Sequence, residues 1–138
     1  MTAVSLARIT SVRDGGRLLR LALRIDAAGS GTLGLAGVVA ATPLGDPLGM
    51  GTGALRGTGA FLVGYALVLV LLAARPVVPR AAAWTVVAGN TAWALGSIAA
   101  AVAGRDSFTA VGVAVVLAQA AAVAVFADLQ WLGLRRAR

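Results

Sequence analysis

The sequence predicts an all-α integral membrane protein, an up-down bundle of four transmembrane helices with both termini in the cytoplasm. Composition, the length of the apolar runs and the placement of arginine predict it. Of the 138 residues, 59% are hydrophobic and 12% are charged, and the mean hydropathy is +0.91. Because a soluble domain carries about 25% charged residues, this composition indicates a chain that lies in a bilayer.

Four apolar runs are close to or above the length of about 20 residues that a membrane-spanning helix needs. They cover residues 25–43, 57–74, 81–103 and 108–132. The loops between them are short, and short loops join antiparallel neighbours. Residues 1–24 are predicted to form a basic cytoplasmic or interfacial segment, and residues 135–138 a basic cytoplasmic tail.

The N-terminal segment carries arginines at intervals of three or four residues, which places them on one face of a helix. These are Arg13, Arg17, Arg20 and Arg24. Such a stripe suits contact with anionic lipid headgroups, and it serves equally as a positive charge that sets topology. A cleaved signal peptide is the alternative for the first run. The long charged stretch before it and the three runs after it favour a retained helix.

The distribution of arginine predicts the orientation. Ten of the twelve arginines precede the first run, lie between the second and third runs, or follow the fourth run. Arg56 and Arg105 lie on the other side. Since cytoplasmic loops carry an excess of Arg and Lys, both termini and the middle loop are predicted to be cytoplasmic.

The residue types exclude several kinds of chemistry. The chain contains no histidine, cysteine, lysine or glutamate, so it offers no His or thiolate metal site, no Ser-His-Asp triad and no Schiff-base lysine. No catalytic residue, metal or cofactor is predicted. The net charge is +7. The arginines that supply it flank the apolar runs and do not form a basic domain, so no nucleic-acid partner is predicted.

Glycine patterns lie within the apolar runs. Residues 29–34 have the G-x-G-x-x-G spacing of a dinucleotide-binding loop, but that motif works only between a strand and a helix. Gly57 with Gly64, and Gly89 with Gly96, recur at seven residues. Because small residues let membrane helices approach closely, we interpret all of these glycines as packing positions.

Two aspartates lie within the runs near their predicted cytoplasmic ends. Asp26 follows Arg20 by six residues, about 9 Å along a helix. Asp128 precedes Arg135 by seven, about 10 Å. A carboxylate at the bilayer centre costs about 2.5–3.5 kcal/mol on insertion scales. The two carboxylates therefore either face a common pocket open to the cytoplasm or anchor helix ends by pairing with arginine, for which Arg24 and Arg135 are the candidates.

Tyr65, Asn90 and Gln119 are polar residues deeper in the runs. Tyr65 lies ten residues before Arg75 and Asn90 ten residues after Arg80, so both are about 15 Å from the turn that joins their helices. That depth is near the middle of a core about 30 Å thick. The Asn90 amide needs a hydrogen-bond partner there, which Tyr65 or Gln119 can supply. The set either holds the helices together or lines a pocket for a small ligand.

Gln119 and Asp128 are not predicted to share a site. They are nine positions apart, which is about 900° of helical rotation and places them on opposite faces. If Gln119 faces the bundle, Asp128 faces a neighbouring helix, a second subunit or the headgroups.

Several segments resemble a family of small bacterial four-helix membrane proteins. They are RLALRID at residues 20–26 with Ser30 and Gly31, NTAW at 90–93, LAQA at 117–120 and DLQWLGLRR at 128–136. The resemblance covers about residues 20–136 and implies a four-helix bundle in the bacterial plasma (inner) membrane. The family has no assigned activity and so implies none. The size of the chain also resembles that of DoxX-like proteins.

Three classes of function fit these observations. The one the sequence favours is a non-enzymatic membrane component that associates with itself or with another membrane protein through its glycine-rich faces. The second is a binder or transporter of a small lipophilic molecule, with Tyr65, Asn90 and Gln119 as the polar lining of its pocket. The third is an intramembrane enzyme that uses Asp26 or Asp128 as a general acid.

Overall fold

The fold is all-α, as predicted. The structure, a computed structural model, describes residues 2–104 and 106–137. Its helices, in chain order, are α1 (Ala3–Val39), α2 (Ala41–Leu48), α3 (Thr52–Ala74), α4 (Arg80–Ala103) and α5 (Ala110–Arg136). Three arginines counted for the predicted orientation are affected, since Arg105, Arg138 and the side chain of Arg8 lie outside the described residues.

Three helices are long and apolar enough to cross a membrane, namely α3, α4 and α5. α1 from Arg13 onward and α2 meet the same criterion together, as a pair bent by 96°. The described part of the chain therefore holds three candidate spans, or four if the bent pair is one span. α3 begins earlier than predicted, at Thr52, and α5 ends later, at Arg136.

The first predicted run, residues 25–43, does not match a helix of the structure. α1 is continuous from Ala3 to Val39, so the basic segment and the apolar run form one helix. The change of polarity near Arg24 does not interrupt it, because Leu, Ala and Arg are all good helix formers. The break falls at Ala40 instead. Pro43 explains its position, since a proline lacks the N–H and its ring clashes with the carbonyl four residues earlier, that of Val39.

α2 is held against α3 and α5. Leu48 packs with Leu55 of α3 in a small buried cluster. The Thr109 hydroxyl, at the N-cap of α5, donates to the Pro47 carbonyl at 2.5 Å and accepts from the Gly112 N–H at 3.0 Å. Because α2 is bent by 96° from α1, it lies crosswise at one end of the longer helices.

We expect Thr109→Ala to lower the free energy of unfolding by about 1–2 kcal/mol, because it removes both an N-cap and the bond to α2. Thermal unfolding in detergent measures the loss. Thr85→Ala is the matched control, since the Thr85 hydroxyl bonds the Ala81 carbonyl of its own helix. Equal losses in the two variants would show that Thr109 does not join α2 to α5.

α1 packs along both α3 and α5, and α4 packs along α5. Gly34 of α1 meets Gly59 of α3, while Gly37 lies against the Leu55 carbonyl. Residue numbers rise along one helix and fall along the other, so the pair is antiparallel. A Cβ atom on Gly59 would stand 2.6 Å from the Gly34 carbonyl oxygen, which means that the two backbones are in direct contact.

The middle of α1 and the C-terminal end of α5 form a second close contact. A Cβ atom on Gly133 would lie 2.7 Å from the Leu19 amide nitrogen. Next to this contact is the main buried cluster, to which α1, α3, α4 and α5 all contribute. Its residues are Leu19, Leu23, Ala27, Leu69, Leu72, Ala73, Ala83, Val86, Val87 and Leu134.

The glycines that recur at seven residues are not the packing positions. A Cβ atom added to Gly57, Gly64, Gly89 or Gly96 would meet no atom within 4 Å among the described neighbours. The glycine of α3 in close contact is Gly59 instead. The repeat identifies residues that share one face of a helix, but it does not say whether that face meets another helix.

Candidate functional site

Side chains from α1, α3, α4 and α5 converge on one buried carboxylate. Asp26 and Gln130 are 0% exposed and Asn90 is 3% exposed. Asp26 Oδ1 accepts from the Ser30 hydroxyl at 3.0 Å. Asp26 Oδ2 accepts from Asn90 Nδ2 at 2.6 Å and from Gln130 Nε2 at 2.8 Å. The Tyr65 hydroxyl donates to Asn90 Oδ1 at 2.8 Å. We call these five residues the polar cluster.

Asn90 is the centre of the polar cluster. Its amide nitrogen donates to Asp26 and also to Gln130 Oε1, at 3.0 Å, while its amide oxygen accepts from Tyr65. Both amide hydrogens and the oxygen are therefore used. Ser30 reaches Asp26 because it lies one helical turn later on the same face of α1. No buried polar side-chain atom among the described residues lacks a partner, and such fully satisfied networks specify one arrangement of the helices.

The hydrogen-bond partners of the Asp26 carboxylate are all neutral. An ionised carboxylate only accepts hydrogen bonds, and Asp26 receives three. The arginines considered as partners lie elsewhere. Arg24 is exposed and is about 200° around the helix from Asp26. The Arg135 guanidinium lies 4.7 Å from the centre of the Trp131 ring. No hydrogen-bond partner of Asp26 among the described residues therefore carries a positive charge.

Asp128 does not join Asp26. It is exposed, whereas Gln130, two residues later, is buried in the polar cluster. Two residues correspond to about 200° of rotation, so these side chains face opposite sides of α5. Of the five polar residues singled out in the sequence, the structure brings Asp26, Tyr65 and Asn90 together. It leaves Gln119 and Asp128 outside the cluster.

Sequence reasoning missed Gln130 and Ser30. A signal for Gln130 exists in its distance from Gln119, which is eleven residues. Eleven residues of α-helix turn through about 1,100°, which is three turns and about 20°. Gln119 and Gln130 therefore share one face of α5, and if one faces other helices the other does too.

A cavity of about 730 Å³ lies on the side of the polar cluster nearer to α2. Every helix contributes to its wall, and most of the lining side chains are apolar, among them Leu33, Leu48, Leu62, Phe108 and Val116. Gly89 and Gly96 line it as well, and a Cβ on either would point into open space. The glycine face of α4 thus leaves room for the cavity and does not pack against a helix.

Four side chains of the cavity wall carry N–H or O–H groups, those of Thr58, Trp93, Ser97 and Gln119. Trp93 Nε1 donates to Gln119 Oε1 at 2.9 Å, and Gln119 Nε2 donates to the Val116 carbonyl at 3.0 Å. Gln119 therefore pairs with Trp93, not with Asn90. The amide and the indole belong to the cavity, while the polar cluster lies beyond them.

Aromatic rings connect the cavity with the polar cluster. The Phe61 ring stacks on Trp93 with centroids 5.7 Å apart, and on Tyr65 with centroids 6.3 Å apart. Gly89, the neighbour of Asn90 in the chain, lines the cavity. The Phe61–Trp93 stack and the bond from Tyr65 to Asn90 join α3 to α4, which lack the extensive backbone packing of the other neighbouring pairs.

The comparisons with known proteins assign no family. The chain matches no family model, no curated protein and no solved structure. The resemblance to small four-helix membrane proteins and to DoxX-like proteins therefore stays a prediction. The polar cluster and the cavity are the features of the structure that bear on function.

The site supports binding better than it supports chemistry. Both Asp26 oxygens are already occupied by donors, and Asp26 is not among the residues that line the cavity. It is therefore not presented to a substrate as a general acid. Within the described ranges, no group of three acidic, His or Cys side chains could hold a metal ion.

Proposed function

We propose that the protein is an integral membrane protein that binds a small lipophilic molecule in the cavity. The observation that carries the proposal is the cavity itself. Its volume of about 730 Å³ falls within the range of about 300–1,000 Å³ typical of sites for small organic molecules. Its wall is chiefly apolar with a few polar groups, as such sites are.

In this proposal α1 with α2, α3, α4 and α5 form a four-helix up-down bundle across the membrane. Arg20 in the middle of α1, the turn between α3 and α4 and the end of α5 lie together, since Arg20 donates to the Pro76 carbonyl and Arg80 to the Leu134 carbonyl. An excess of arginine at one end supports a cytoplasmic location for that end. The cavity and α2 then lie in the outer half of the bundle.

The route of entry follows from the packing. α3 and α4 meet through side chains and lack extensive backbone packing, so the gap between them gives a lipophilic molecule a lateral path from the bilayer. Leu44 and Leu48 of α2 line the cavity and shield its outer end. A bilayer-dissolved molecule can thus enter without crossing water.

Helix association is the second candidate, and one observation favours it. Gly57 and Gly64 of α3 have no neighbour within 4 Å among the described residues, so this face is open to another membrane helix. Gly34 and Gly59 instead join α1 to α3, and the two glycines of α4 line the cavity. The cavity therefore supports the binding proposal more directly.

Filling the cavity tests the proposal. We expect native mass spectrometry of protein released from gentle detergent to show a stoichiometric lipophilic molecule on the wild type, and Gly96→Leu to lose it. The leucine side chain enters the open space at Gly96 and leaves the helix contacts intact. Gly64→Leu on the outer face of α3 is the matched control and should retain the molecule. A wild type without the molecule, or equal retention in all three proteins, contradicts the proposal.

A further inference from the structure

We infer that the ligand of the cavity is a lipophilic cation, attracted by the charge of Asp26. This inference rests on the proposed function and names its ligand class. Three observations carry it: a buried carboxylate with neutral partners, a cavity that comes within one residue of it, and aromatic rings between the two.

The three hydrogen-bond partners of the Asp26 carboxylate are neutral. A purely structural cluster needs hydrogen bonds but no net charge, because asparagine at position 26 would supply an amide without the cost of burying an ion. In this inference Asp26 is ionised, and in a medium of low dielectric constant its attraction for a cation is stronger than in water.

α4 contributes both to the cavity wall and to the polar cluster. The wall includes Gly89 and Trp93, which lie one residue before and three residues after Asn90. Asn90 bonds to Asp26 at 2.6 Å. The residue that bonds to the carboxylate is thus the chain neighbour of a residue of the wall. In this inference a cation held at that part of the wall feels the charge of Asp26 without displacing any member of the polar cluster.

The wall of the cavity contains an aromatic ring. Trp93 lines the cavity and stacks with Phe61. The faces of aromatic rings attract cations, and those of Trp attract them most strongly. The lining residues include none with a positive charge. An organic cation with an apolar shell therefore matches both the wall and the charge beyond it, whereas an anion of the same size is repelled by Asp26.

Two ions of nearly equal size and opposite charge test the inference. Tetraphenylphosphonium and tetraphenylborate are titrated calorimetrically into the detergent-solubilised protein, with Gly96→Leu as the blank for binding outside the cavity. We expect tetraphenylphosphonium to bind the wild type at least tenfold more tightly than tetraphenylborate. Asp26→Asn should weaken tetraphenylphosphonium binding about tenfold, and Asp128→Asn, the matched change of an exposed carboxylate, should leave it unchanged.

The comparison of the two ions on the wild type requires no variant, so a poorly folding Asp26→Asn protein does not remove the test. Equal affinities that Gly96→Leu abolishes overturn the cation inference and leave the cavity as a binding site. If neither ion binds, the inference is wrong. A neutral molecule found on the wild type by mass spectrometry and lost in Gly96→Leu then preserves the proposed function, and a bare wild type overturns both.

Discussion

Asn90→Leu is expected to lower the free energy of unfolding by about 3–5 kcal/mol. Asn90 makes three interhelical hydrogen bonds, to Asp26, Gln130 and Tyr65. At about 0.6 kcal/mol for an average interhelical bond within a membrane, their loss alone costs about 2 kcal/mol. The rest arises because the variant removes the donor to the buried Gln130 Oε1, and an unsatisfied buried group costs about 1–3 kcal/mol. Equilibrium unfolding in mixed detergent micelles measures the change.

Gln119→Leu is the control for Asn90→Leu. It introduces the same side chain but removes one interhelical hydrogen bond, the bond from Trp93. The lost bond and the half-buried indole N–H left without its acceptor should together cost about 1–2 kcal/mol, less than Asn90→Leu. If the two variants lose equal stability, Asn90 is not the centre of the network.

Gly59→Leu is expected to lower the free energy of unfolding by about 3 kcal/mol or to prevent folding. A Cβ atom at Gly59 would stand 2.6 Å from the Gly34 carbonyl oxygen and 2.8 Å from the Val38 amide nitrogen. Both atoms belong to the backbone of α1, so no side-chain rotation relieves the overlap and the helices must move apart. Overpacking of this kind costs about 1–3 kcal/mol and occasionally more.

Gly64→Leu provides the comparison for Gly59→Leu, because it makes the same change on the same helix where no atom lies within 4 Å. The gain in helix propensity of up to about 1 kcal/mol should leave this variant as stable as the wild type or slightly more stable. Thermal unfolding of the two variants side by side checks the prediction. A stable Gly59→Leu protein would contradict the close contact of α1 and α3.

The depth of a polar residue could be predicted from the sequence, and its direction could not. Counting from the arginines at the turn placed Tyr65 and Asn90 at the same level, and the two side chains bond to each other. Asp128 and Gln130 are two residues apart and so lie at nearly the same depth, yet only one side of α5 meets other helices. Both side chains are polar, so composition did not distinguish the buried one from the exposed one.

The sequence predicted neither the cavity nor the bend at Ala40, for related reasons. A glycine either permits close contact, as Gly59 does, or leaves space, as Gly96 does, and its spacing is the same in both cases. The break at Ala40 depends on Pro43, which acts on the carbonyl four residues before it. The predicted helix boundaries instead fell where the polarity of the sequence changes.

The polar cluster has a consequence for biosynthesis. α1 is made first and carries Asp26, but Gln130 follows 104 residues later. In the proposed membrane bundle, the carboxylate enters the bilayer before its partners on α4 and α5 are made, at a cost that they later offset. We therefore expect a chain truncated before α5 to leave Asp26 without one of its donors, and thus to be marked as incomplete for the quality-control proteases of the membrane. The last helix completes the fold and also releases the first one from that cost.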